Sequence, residues 1–256
     1  MRIYSLSPSK VAMAMRCPMQ LWHLLTVGPR PPGFTMVFGS SYHAGVEVDL
    51  QKKIEGENCE VDEMITAFEA EFQDRLCEAE RKDGELAASE YFNIGVASIK
   101  RHKEAISPQF DPVAVEVPLE VDIDGFKMRC RIDLIARGMG IVDHKTAWRK
   151  WATGREHKEV QPLAYALPFW RKEKKLLDFT FSVFYPNIVE RKRDCFEFRK
   201  TSPNAKSIEA FAQIVRNVGM MMVEERPVPN TSGWWCSEKW CGWWDVCEFG
   251  RGRVVV

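Results

Sequence analysis

The sequence lacks any long uninterrupted run of apolar residues. No stretch of its 256 residues approaches the about 20 consecutive apolar residues that a membrane-spanning helix needs. The first ten residues, MRIYSLSPSK, also lack the apolar core and small-residue cleavage site of a secretory signal peptide. These absences predict a protein that stays in the cytoplasm and has no membrane partner.

The chain also lacks an excess of charge of either sign. Lys plus Arg and Asp plus Glu each total 36, so the net charge gives no general argument for a nucleic-acid partner. Basic runs do occur, although such runs are more often solvated surface than binding sites. Three of them could lie along a phosphate backbone, at 148–158, 171–175 and 191–193.

Internal repeats and low-complexity tracts are absent, and histidine is scarce, with five in total and none after His157. Eight cysteines in a reducing compartment are more typical of thiols or metal ligands than of disulfides. A hydrophobic content of 45% over this length is enough for a full core. We therefore expect a single domain spanning 1–256.

The chain begins with helical patterns and then changes to β patterns. Ser7 followed by Pro8 predicts a helix to about Cys17, since serine caps helices and proline suits the first position. A second helix is predicted from Ser40 or Ser41, and helical sequence continues over 61–105 with a possible break near 83–84.

After Pro108 the residues alternate between apolar and polar, which predicts strands, and Asp124-Gly125 is a hairpin signal. Helices are expected at about 159–170 and from 203 to 224, with two strands between them. The fold class is therefore α/β, with a central mixed β-sheet flanked by helices.

One predicted hairpin, RCRIDLIARGMGIVDHKTA at 129–147, carries charges among strand-forming apolar residues. Asp143 and Lys145 share one face of a strand because side chains alternate. If the turn centres near Gly138, Asp133 lies opposite Asp143, and Cβ atoms of facing residues are about 5 Å apart. Two carboxylates at this distance could hold a divalent cation.

The order of residues around this hairpin resembles the PD-(D/E)XK nuclease superfamily. The elements are His43, Asp133, Asp143-His144-Lys145 and Gln161-x-x-x-Tyr165. Within this superfamily, these elements resemble the branch that contains the nuclease domain of RecB and the Cas4-like exonucleases. The resemblance implies a restriction-endonuclease-like core over 108–200.

The resemblance also implies roles for these residues. Asp133 and Asp143 would bind Mg²⁺ or Mn²⁺ through hard oxygen ligands, with His43 and the backbone carbonyl of His144 completing the metal shell. Lys145 would orient the attacking water or stabilise charge in the transition state. Gln161 and Tyr165 would border the site and contact DNA or the lysine.

Simpler interpretations of the same residues stay open. Asp143 and Lys145 could form an ordinary ion pair, His43 could be structural, and Gln161 with Tyr165 could be a packed pair one helical turn apart. Glu47 shares a helix face with His43 and could bind a second metal or be solvated. Glu116 could approach the site from its strand.

Three cysteines, Cys236, Cys241 and Cys247, lie within twelve residues near the C-terminus. The resemblance implies that Cys17 is the fourth ligand of a [4Fe-4S] cluster that joins segments 1–30 and 227–256. Zn²⁺ is one alternative, because four thiolates suit both, and unligated thiols are the other. The spacing of four and then five residues departs from the two-then-five spacing of many Cas4 proteins.

Taken together, the resemblance implies a metal-dependent DNA exonuclease acting on single strands or free ends. Its setting would be phage or prokaryotic recombination, repair or CRISPR adaptation, with a helicase, recombination or adaptation protein as possible partner. The alternative is a DNA-binding assembly protein that keeps the cluster and works mainly in a complex.

Overall fold

Eight α-helices lie before, within and after the run of strands in the part of the chain that a computed structural model describes, residues 5–190 and 194–251. The basic run at 191–193 lies outside the described residues. The helices are α1 (Pro8–Arg16), α2 (Pro18–Thr26), α3 (Phe34–Glu55), α4 (Val61–Leu76), α5 (Ala88–Arg101), α6 (Gln161–Glu173), α7 (Ala205–Val223) and the short α8 (Glu248–Arg251). No described helix is long and apolar enough to cross a membrane.

The helix starts follow local chemistry. Ser7 caps α1 as predicted, and its side chain accepts the amide of Lys10. The sequence patterns did not predict α2, which begins at Pro18 directly after α1 because proline suits the first position of a new helix. Helix α3 begins at Phe34, earlier than predicted, where the Glu85 carboxylate accepts the amides of Phe34 and Thr35.

Five strands form one mixed sheet in the order β1-β2-β3-β4-β5. They are β1 (Pro112–Ile123), β2 (Phe126–Ala136), β3 (Gly140–Thr146), β4 (Phe179–Phe184) and β5 (Phe196–Thr201). Only β3 and β4 are parallel, and α6 lies between them in sequence. The prediction of a central mixed sheet flanked by helices is confirmed.

Two hydrophobic cores lie on the two sides of the sheet. The first contains apolar residues of α1, α2, α6 and α7, and the second those of α3, α4 and α5. Along β3, Ile141 belongs to the first core and Val142 to the second, as alternation requires. Asp143 and Lys145 therefore share the α6 side of the sheet with Ile141.

Strand β2 changes the face that it presents to the cores at Asp133. Ile132 packs in the first core and Leu134, two residues later, in the second. Glu116 of β1 lies between the pairs Val115–Leu134 and Val117–Ile132 and has φ of 53°, a conformation that costs energy for a residue other than glycine. At the level of Asp133 and Glu116, β2 thus changes the face that it presents to each of the two cores.

A buried ion-pair network fixes α3 to the segment after α5. Asp49 is fully buried, and its carboxylate accepts bonds from Lys103 Nζ and Ser107 Oγ, each at 2.6 Å. Burial alone would raise the pKa of Asp49, but these two bonds lower it below its usual value. Asp49 therefore anchors the helix that carries His43.

Asp49→Ala should lower the free energy of unfolding by about 3 kcal/mol, since removing one partner of a buried pair leaves the other uncompensated. Because the pKa of Asp49 is lowered on folding, this contribution is complete above the unfolded value near 4 and disappears in stronger acid. Urea unfolding at neutral and acidic pH measures it. Glu104→Gln, which removes an exposed ion pair with Arg101, is the control and should change little; equal effects would contradict the role of Asp49.

Candidate active site and cysteine cavity

The β2–β3 hairpin places the two aspartates together. Its register pairs Leu134 with Val142 and Ala136 with Gly140, so one step further Asp133 faces Asp143, as predicted. Gly140 has φ of 74°, and a Cβ there would lie 2.4 Å from the carbonyl oxygen of Asp178. Glycine at this position therefore sets the turn that fixes the register.

Asp143 is the buried centre of the site, with 1% of its surface exposed. Lys145 Nζ lies 2.6 Å from its Oδ2, and the Tyr165 hydroxyl of α6 donates to its Oδ1 at 3.2 Å. Oδ2 accepts no well-aligned hydrogen bond within the described residues, so this oxygen retains acceptor capacity beside the lysine.

Asp133 is held next to Asp143 by the backbone of β3. The amide of His144 donates to Asp133 Oδ2 at 2.8 Å, and His43 Nδ1 of α3 lies 3.6 Å from the same oxygen. Burial, reinforced by the charge of Asp143, raises the pKa of Asp133 to about 8. Burial and Lys145 lower the pKa of His43 to about 4, which leaves a neutral imidazole able to coordinate a metal.

Lys145 keeps its positive charge in this setting. Burial alone would lower the pKa of Lys145, but the adjacent Asp143 carboxylate raises it above its usual value. Burial and the neighbouring Asp143 also raise the pKa of Tyr165, so its hydroxyl stays a donor. The site thus holds one fixed cation, one neutral donor and two carboxylates.

The donor chemistry fits a hard divalent cation. In residues 5–190 and 194–251, no three His, Cys, Asp or Glu side chains are grouped closely enough to hold a metal as they stand. However, burial and then the charge of Asp143 raise the pKa of Asp133, so a negative charge on Asp133 is unfavourable without a cation. A bound cation would offset that repulsion, and carboxylate oxygens are the ligands that Mg²⁺ and Mn²⁺ prefer.

The candidate site opens into a groove of about 600 Å³. His43 and Asp133 line it together with Glu47 and Glu116, so both glutamates of uncertain role lie beside the site. Burial and then Glu116 raise the pKa of Glu47. Arg131, whose Nη1 lies 3.2 Å from Glu116 Oε2, lines the same groove.

Two of the predicted site residues, Gln161 and His144, have no side-chain hydrogen bond to the two carboxylates within the described residues. Gln161 begins α6, one turn before Tyr165. The backbone of His144 lies at the site, but its side chain packs on the other side of the sheet near His102 and Phe110. The same ring lies edge-on to the His43 ring, with centroids 6.1 Å apart, and the role expected of His144 is that of its backbone carbonyl.

A family sequence profile decides the identity of this arrangement. The profile of the PD-(D/E)XK nuclease superfamily matches residues 5–248. The chain belongs to this superfamily. The matched range includes both aspartates, Lys145 and all four candidate cysteine ligands.

The chain is also similar to solved structures. The chain is similar to a candidate exonuclease from Eubacterium rectale, with 14% identity and a TM-score of 0.56, covering 98% of this chain and 89% of that one. A second structure, SSO0001, covers 80% of this chain and 96% of its own at 17% identity and a TM-score of 0.36. A comparison with curated proteins finds no sequence match.

The PD-(D/E)XK chain also brings its terminal cysteines together. Cys17, Cys236, Cys241 and Cys247 all line one small cavity, with Cys17 at the junction of α1 and α2. The tail is held there by the Arg30–Asp245 ion pair at 2.5 Å and by Asn230 Nδ2, which donates to the carbonyl of Arg16. The ends of the described chain thus meet at a cysteine-lined cavity.

Two of the sulfur atoms at this cavity accept hydrogen bonds from nitrogen, and two further buried nitrogen atoms belong to residues that line it. The amide of Asn230 donates to Cys17 Sγ at 3.5 Å, and Gln20 Nε2 donates to Cys241 Sγ at 3.6 Å. His23 Nε2 and Trp235 Nε1 are buried without a partner among the described residues, and both side chains line the cavity. Burial and Arg30 lower the pKa of His23.

Our sequence predictions did not include His23. The available signal was its spacing of three residues from Gln20, which places both on one face of a helix. This spacing is informative only once it is known that α2 is a helix and that this face of it lies at the cysteine cavity. The cavity-facing donors are thus a finding of the three-dimensional structure.

Proposed function

We propose that this chain is a divalent-metal-dependent deoxyribonuclease that acts on single strands or free DNA ends, as Cas4-like and RecB-like exonucleases do. The observation that carries the proposal is the buried Asp143–Lys145 pair beside Asp133 at a groove, in a chain of the PD-(D/E)XK superfamily. Metal-dependent hydrolysis of a phosphodiester uses a bound cation, a nucleophilic water and a fixed positive charge. The two aspartates would bind the cation that activates the water, and Lys145 would supply the positive charge.

Each residue has a stated task in this proposal. A divalent cation bound by Asp133 and Asp143 would lower the pKa of a coordinated water and offset charge on the scissile phosphate. Lys145 is held by Asp143 so that its ammonium can stabilise that charge or orient the water. Tyr165 fixes Asp143 from the opposite oxygen, and neutral His43 is available as a further ligand.

We propose that the cysteine cavity holds a structural [4Fe-4S] cluster, with Zn²⁺ or unligated thiols as the alternatives. Four cysteines around one cavity suit either, but the two buried donors without partners, His23 Nε2 and Trp235 Nε1, favour the cluster. Its inorganic sulfides add hydrogen-bond acceptors that a zinc ion bound by four thiolates lacks, and such bonds tune cluster potentials. The cluster would join α1 and α2 to the tail.

Cleavage of end-labelled DNA tests the proposed function. Anaerobically purified protein is incubated with single-stranded and duplex DNA in Mg²⁺, Mn²⁺ or EDTA. We expect products that shorten from an end with either metal and none in EDTA. Cleavage that continues in EDTA, or no cleavage with either metal by protein whose fold and metal content are intact, would overturn the proposal.

A further inference from the structure

A second open groove, of about 760 Å³, lies on the Lys145 side of the candidate site. Thr35 and Thr146 line both this groove and the one that contains His43 and Asp133. The two grooves are therefore adjacent and meet at these two residues, beside the end of β3. A chain-like ligand could pass through both and cross the candidate site between them.

The walls of this groove, which we call the aromatic groove, carry flat rings. Trp148 is half-buried, and its ring is held by edge contacts with Phe38 and Tyr91 at centroid distances of 5.5 and 5.1 Å. Trp151 lies beneath the Arg155 guanidinium, 4.5 Å from its ring centroid. Trp240 is 58% exposed, and Lys239 Nζ lies over its ring, 5.5 Å from the centroid.

The charges of the aromatic groove favour a negatively charged ligand. Its two acids are already engaged: Glu85 accepts the amides at the start of α3, and Asp83 lies 3.6 Å from Lys239 Nζ. Arg149 is exposed at the rim and has no carboxylate partner among the described residues. This leaves a free guanidinium positioned for a phosphate.

The cysteine tail supplies the far wall of the aromatic groove. Trp240 directly precedes Cys241, and the Lys239–Asp83 contact places this part of the tail against the 83–86 loop. Trp240 also packs edge-on against Trp234 at 5.4 Å. The position of the Trp240 ring therefore depends on the tail that lines the cysteine cavity.

We propose that the aromatic groove binds single-stranded nucleic acid, with bases stacked on Trp240 and Trp148 and a phosphate on Arg149. The inference rests on the proposed function and names its substrate and path. Unpaired bases expose faces that aromatic rings can stack on, whereas a duplex keeps those faces covered. The tail thus acts in substrate binding, because it places the Trp240 ring beside the strand that leads to Lys145.

Binding of a labelled oligothymidylate in EDTA tests the groove without any cleavage. Trp240→Ala should weaken binding about 5- to 150-fold, the range expected for loss of one stacked base. Trp240→Phe should restore most of it. The same strand built from abasic sites keeps the phosphates and lacks the bases, so Trp240→Ala should bind it like the parent protein.

Arg149→Gln should weaken binding to both strands and lower the salt dependence of log K by about 0.7, the value for one single-strand phosphate contact. Arg137→Gln is the matched control, since Arg137 is exposed at the turn before β3, at the opposite end of that strand from Thr146. Its affinity and salt slope should equal those of the parent.

Melting temperature and visible absorption identify any variant that has lost its fold or cluster. In folded protein, unchanged oligothymidylate binding by Trp240→Ala, or an equal loss for the abasic strand or for duplex DNA, would overturn the proposal. If binding changes as expected but no metal supports cleavage, the nuclease proposal fails and the aromatic groove stands. If cleavage is normal and binding is unaffected by both variants, the groove assignment fails and the nuclease proposal stands.

Discussion

Replacing Lys145 with methionine is expected to lower the rate of metal-dependent DNA cleavage by about 10²–10³-fold, the usual effect of removing one group that stabilises transition-state charge. The ammonium of Lys145 lies 2.6 Å from Asp143 Oδ2 and lines the aromatic groove. Cleavage rates at saturating Mn²⁺ measure the effect. Lys127→Met removes an exposed lysine of β2 that pairs with Glu120, so this control should cleave at the parent rate.

A loss of stability must be separated from this loss of chemistry. Lys145→Met leaves the Asp143 carboxylate buried without its cation, and breaking a buried pair is strongly destabilising. The double variant Asp143→Asn/Lys145→Met removes both charges and should recover most of the melting temperature while remaining inactive. Recovery of cleavage in the double variant, or full cleavage by Lys145→Met, would contradict the assignment.

Short-range sequence patterns made the β2–β3 hairpin predictable. Alternation assigned Asp143 and Lys145 to one face, and a turn at Gly138 set the register that faces Asp133 with Asp143. Both rules depend only on residues that are close together in the sequence. A tight hairpin turn requires residues with positive φ, and Gly138 and Gly140 have it. The same rules predicted α1 through its Ser7 cap.

Long-range placement was not predictable from the sequence. No short-range sequence pattern indicates that Glu116 lies opposite Asp133 with a strained backbone. Nor does any indicate that β2 changes the face that it presents to the two cores at this point. The proximity of Trp240 to Lys145 in one groove joins residues far apart in the chain. Helix α2 was not predicted because Pro18 is as compatible with the end of one helix as with the start of the next.

Cys17→Ser and Asp133→Asn are expected to have opposite effects, because the two candidate metal sites share no residue. Cys17 joins parts of the chain that are far apart in sequence, as its contact with Asn230 spans 213 positions. If the cavity holds a cluster, Cys17→Ser should release it and lower the melting temperature by about 5–15 °C, since metal binding free energy is folding free energy. Iron analysis and visible absorption report the loss.

If the cavity holds a cluster, Asp133→Asn should have the iron content, colour and melting behaviour of the parent while losing metal-dependent cleavage. Without divalent metal its melting temperature at pH 8 should equal or exceed that of the parent, because a pKa of Asp133 raised to about 8 means that its charge opposes folding increasingly as the pH rises toward that value. Cleavage by Cys17→Ser should fall only as far as the tail and Trp240 are displaced. Loss of iron from Asp133→Asn, or full colour and stability in Cys17→Ser, would show that the two sites are not separate as proposed.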